Sequence, residues 1–242
     1  MMPDASSTTA RRTDPRRRDV HTVLVCLPAE LSPQHLAPAA ENRLACLDLH
    51  PHGTMPHFIP GTRRSCKLLD RWRDTTAGGP MRLLDLDTMR AEATASASAQ
   101  WRVWDTLVAG TRLAQPYWVF DERHHEDPQR YSLDRARSDY LRQPRIQAMR
   151  AYSTRPDRLC DLDGDHLEAL QAGHATFTWL AAAVAVPASG IATSATGHDG
   201  EPGWLAPTGR ALDDQISYVQ AANDHLARLQ PEANLVAMAL PG

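Results

Sequence analysis

The chain has 242 residues and a mass of 26.8 kDa, with 42% hydrophobic residues, 23% charged residues and a formal charge of −3. A core can form at this length without disulfides or metal, in one large domain or two small ones. There is no run of about 18 apolar residues, hence no candidate membrane helix. The four cysteines, Cys26, Cys46, Cys66 and Cys160, stand apart with no CxxC pair. That spacing argues against a disulfide scaffold or zinc ribbon and fits a reducing cytoplasm.

Lys67 is the only lysine among 26 basic residues, and alanine is abundant. The codon supply of a high-GC bacterial genome accounts for both, so arginine richness alone carries no message; only local clustering does.

Residues 1–19 combine serines, threonines, arginines and prolines with almost nothing apolar, which predicts a disordered basic tail. The remainder, 20–242, reads as a single mainly helical domain. Arg11–Arg12 precedes an apolar run that is too short and too polar for an export signal. That run, Val20–Leu27, is β-branched and bounded by Pro28, so it reads as a buried strand. Asn234–Leu240, between two prolines, reads as its partner in a small terminal sheet.

Between these strands the signals are helical. Ser32–Pro33 starts a helix toward Leu49 with a break near Pro38, and His50–Pro60 is loop. Ser65–Thr75 reads as a short helix ending at Gly78–Gly79. Asp87 caps the longest helix, which stops at Gly110. Further helices open at Pro116, at Ser132, after Pro144, at the Asp165-x-x-Glu168 capping box and at Ala175. Residues 187–209, with three prolines, read as a long surface loop, a feature that is often functional. Arg210–Leu229 carries a clear apolar stripe. The expected fold is a mainly α helical bundle with a small terminal β-element.

Two clusters have ligand chemistry. On a helix, Tyr117–Asp127 turns Asp121, His124 and His125 to the same face as Tyr117, Trp118 and Phe120. Carboxylate–histidine pairs at this spacing bind iron in helical bundles; the alternative is a hydrogen-bonded structural cluster. Cys46, His50, His52, His57 and Cys66 offer thiolates and imidazoles suited to zinc, although their spacing matches no zinc module. His50 or His52 combined with Asp121 and His125 would make a catalytic metal site. Trp101, Trp104, Tyr117 and Trp118 read as core anchors.

Residues 129–158 carry eight arginines against three aspartates, interleaved with tyrosines. Arginine holds phosphate and carboxylate in two-point contacts, so Arg130, Arg135, Arg142, Arg145 and Arg150 are the candidate contact surface for an acidic protein or a nucleic acid. Nucleotide-binding, hydrolase and metalloprotease motifs are missing from the sequence. The leading expectation is a binding protein acting through this arginine-rich segment, with an all-α iron- or zinc-dependent oxidase or hydrolase as the alternative.

Overall fold

Two apolar strands hold the center of the molecule. The computed structural model describes residues 20–62, 66–193 and 203–241. The tail expected over 1–19 lies outside them. In β1 (Val20–Leu27) and β6 (Asn234–Pro241), the ends of the described chain pair antiparallel along their whole length, from Val20 opposite Pro241 to Leu27 opposite Asn234. Alternation of side chains along these strands sorts the core into two sides. Val23, Val25, Val236 and Met238 pack against Leu36, Ala40 and Leu44 of helix α1 (Pro33–Ala45). Leu24, Cys26, Leu235 and Ala237 belong to the larger core beneath the other helices. Both faces are covered, so the two strands read as continuous apolar runs. Fully burying a leucine or valine contributes about 2 kcal/mol, which makes this pair a center of stability.

Shorter strands extend the sheet on both sides. β2 (Gly53–Thr54) and β3 (Gly78–Pro80) line the free edge of β6, both antiparallel to it. On the other edge β4 (Ile191–Ala192) runs parallel to β1, and β5 (Trp204–Leu205) pairs antiparallel with β4. The core on the second face draws on α2 (Leu86–Val108), α4 (Leu133–Leu141), α5 (Pro144–Ser153), α6 (Leu167–Gln171), α7 (His174–Val184) and α8 (Leu212–Arg228), while α3 (Tyr117–Glu126) packs on α4 through Tyr117 and Phe120 against Tyr140. Short 3-10 turns occupy Met81–Leu83 and Gly164–His166.

The fold is therefore a mixed α/β arrangement, 50% helix and 15% strand among the described residues, which corrects the expected helical bundle. The bundle reading failed because four of the six described strands are two or three residues long, too short for a period of two to show. Gly78–Gly79 stops no helix. A side chain at Gly78 would run into the Leu235 carbonyl, so the glycine permits close approach of β3 to β6. The preceding residues from Cys66 to Thr75 form bends and bridges such as Trp72 with Thr75. Pro38 sits inside α1 without interrupting it. The cap of α2 is Asp85, whose carboxylate accepts from the Thr88 amide at 3.0 Å, two residues before the expected Asp87. Among the described residues no helix is long and apolar enough to cross a membrane.

Candidate functional site

A cavity of about 1130 Å³ opens at the end of the sheet where β1 begins and β6 finishes. Its walls come from separate stretches of chain: His21–Val23, the turn between α7 and β4, Trp204 to Arg210, the first residues of α3, and Tyr218 of α8. His57, from the segment after β2, also lines it.

The turn from Val186 to Ser189 is anchored from three directions. The Nε2 of His57 donates to the Val186 carbonyl at 3.0 Å. The Tyr218 hydroxyl donates to the carbonyls of Pro187 at 3.0 Å and Ala188 at 3.2 Å. The Ser189 amide donates to Thr22 at 2.9 Å, tying the turn to β1. Ala188 has φ +55°, a left-handed conformation that disfavors a residue with a Cβ, so these bonds hold it against its own preference. Burial raises the Tyr218 phenol well above its ordinary value, which keeps it a donor. Burial also holds the His57 imidazole below its ordinary range, against a weaker opposing effect of the Val186 carbonyl.

The opposite wall is the start of α3. Its position follows from two glutamines that pair with the loop before it. Gln171 accepts from the Ala114 amide at 2.8 Å and donates to the Ala114 carbonyl at 2.9 Å. Gln143 does the same for Gln115, at 2.7 and 2.9 Å. Tyr117 is set edge-on to Tyr140 at 5.4 Å. Glu168 accepts from Trp118 Nε1 at 3.0 Å and from the Leu212 amide at 3.2 Å. Its one carboxylate therefore fixes a cleft aromatic and supplies an acceptor to the first turn of α8, whose N-cap Ala211 has none to offer. On the sheet side, the Trp204 ring lies against Gly190, where a Cβ would come 2.5 Å from the indole.

The metal-candidate residues lie as follows. Asp121 is half-buried on α3, and its Oδ2 meets Arg210 at 3.1 Å. His125 is largely exposed, donating from Nδ1 to the Asp121 carbonyl at 2.8 Å and standing 3.8 Å from its carboxylate. His124 donates from Nδ1 to the Tyr131 carbonyl at 2.9 Å, and the two imidazoles are 5.5 Å apart. Donation from Nδ1 leaves each Nε2 with a lone pair. His50 and His52 are exposed after α1, His50 3.7 Å from Asp48; Cys46 and Cys66 are exposed free thiols. Among the described residues no three His, Cys, Asp or Glu side chains gather in a geometry that would hold a metal. The carboxylate facing the α3 histidines is already bonded to a guanidinium.

The candidate contact arginines divide. Arg130 stands 3.6 Å from Asp127. Arg135 and Arg142 flank Asp139 at 3.8 and 3.9 Å, and Arg135 also covers the Tyr131 ring. Arg150 is exposed. Arg145 is not on this surface: only 8% exposed, it donates to Thr111 Oγ1 and O at 3.1 Å and to Gln171 at 2.9 Å, and stacks over Trp104. Its place on the face of α5 turned toward α2 explains the difference. Helix spacing alone did not reveal which arginine faced inward.

No family model, curated protein or solved structure matches this chain.

Proposed function

We propose that this protein binds a small organic molecule in the cleft at the sheet end. The cavity carries the reading. It is the size of a ligand site, the rings of Tyr117, Trp118 and Trp204 line it, and polar groups converge on it, one an imidazole with a depressed pKa. The anchored turn and the glutamine-pinned loop make the site rigid before any ligand arrives, which lowers the entropy lost on binding. The four cysteines, all free thiols, favor the cytoplasm as its location.

A screen of small aromatic fragments by proton NMR tests this. The indole signals of Trp118 and Trp204 should move with the hits, and a Tyr117→Ala, Trp204→Ala double variant should lose them. Hits that bind the double variant equally well would overturn the proposal.

A second reading has its own observation. Arg137 and Arg150 are exposed and have no ion pair among the described residues, so an acidic protein or nucleic acid would find two unneutralized guanidiniums on the α4–α5 surface. A mobility shift with mixed DNA and RNA that persists in Arg137→Ala, Arg150→Ala would remove it.

A further inference from the structure

Several donors around the cleft are already engaged, and the side chains of His21, Asp165 and Gln215 also line it. Trp118 gives its N–H to Glu168, Tyr218 gives its hydroxyl to the 187–188 carbonyls, and Arg210 is paired with Asp121. The Thr22 and Ser189 hydroxyls can serve either as donors or as acceptors.

His57 differs. A carbonyl only accepts, so the bond to Val186 places the imidazole proton on Nε2 and leaves Nδ1 as a lone pair. No partner for Nδ1 stands among the described residues, nor is Nδ1 one of their buried unsatisfied atoms. The ring's edge-on contact with Phe58, 4.9 Å between centroids, restrains its orientation. The cleft therefore sets an oriented acceptor, Nδ1 of His57, beside the rings of Tyr117, Trp118 and Trp204.

We infer that the ligand is a flat aromatic molecule bearing an N–H or O–H donor, and that Nδ1 of His57 receives this donor while Tyr117, Trp118 and Trp204 border the ring. This rests on the cleft being a ligand site. It adds what the ligand must carry: a donor, since an acceptor in its place would set two lone pairs against each other and leave both desolvated.

Indole and N-methylindole test the inference, because they share the ring system and differ in the donor. Each is titrated into the full chain while the His57 Cε1 proton and the tryptophan indole protons are followed by NMR. Indole should bind about fivefold tighter, the effect of one net hydrogen bond, and should shift the His57 signal. His57→Phe should bring the two affinities together. His57→Asn, whose amide oxygen can take the Nδ1 position, should restore the preference, which a merely structural role for His57 would not do. Equal affinities in the unaltered protein would overturn the donor rule and leave the cleft reading standing. If neither compound moves any cleft signal, the cleft reading falls as well.

Discussion

The cleft and the arginine-rich segment show that density of charge and availability of charge are different things. The segment looked the more functional because its residues are conspicuous, yet Asp127, Asp139, Asp157 and Asp161 answer Arg130, Arg135, Arg142, Arg155 and Arg158 at 2.7 to 3.9 Å. The cleft has fewer charges, but the open Nδ1 of His57 is held in place by the same bond that sets the ring's tautomer. Binding capacity resides in groups the fold orients without satisfying.

The sharpest contrast lies within the arginines themselves. Arg145→Ala should lower stability by about 3 kcal/mol, because it removes three hydrogen bonds and the packing on Trp104 and strands Gln171 and Thr111 inside. Urea unfolding measures it, and a loss no larger than that of an exposed arginine would contradict the buried geometry. On the cleft side, Glu168→Ala should cost about 1 to 2 kcal/mol, since Trp118 and the Leu212 amide lose a common acceptor. Glu168→Gln should recover part of it. The Trp118 indole N–H resonance reports the local change directly, and an unmoved resonance in Glu168→Ala would show that the carboxylate does not hold the ring.

How much of this was visible in the sequence depends on the length of each signal. The long apolar strands at either end, and their pairing, were legible because eight residues suffice to show β-branched runs bounded by prolines. The helices opening at Pro116, Ser132 and Pro144 were legible from their first residues. The two-residue strands were not, since Gly53–Thr54 and Ile191–Ala192 are strands only because β6 and β1 stand beside them. The cleft was hidden for the same reason. His57, Trp118, Trp204 and Tyr218 are distant in the chain and follow no shared spacing; only the proline-rich stretch of 187–209 pointed toward one of the walls. In the sequence His57 belongs with the zinc candidates, and nothing there points to its bond to Val186, 129 positions along the chain.

Acid should weaken the cleft through His57. Burial lowers its folded pKa below 6.5, so in the window from that lowered value up to 6.5 the unfolded chain binds more protons than the folded one. Stability therefore falls as pH drops through this window and gains nothing from His57 above it. His225 acts in the same sense, by burial and then by the nearby Arg228. Urea unfolding of the parent and of His57→Phe at about pH 7.5 and about pH 5 should show a smaller acid loss in the variant. Equal losses would mean that the imidazole is not held neutral by burial, and the contrast drawn above would lose its chemical basis.

The smallest effect belongs to the exposed arginines. Arg135→Ala combined with Arg142→Ala removes two contacts to one carboxylate, each long and open to solvent, and should change stability by no more than about 0.5 kcal/mol. Raising salt from about 50 to about 200 mM should narrow even that difference, because exposed pairs are screened over a Debye length of about 10 Å. A larger, salt-resistant loss would mean that Asp139 and its arginines form a structural network rather than a solvated face. In that case Asp139, which also accepts from the Tyr131 hydroxyl at 3.0 Å, would be its hub, and the comparison between engaged and available charge would have to be redrawn around α4.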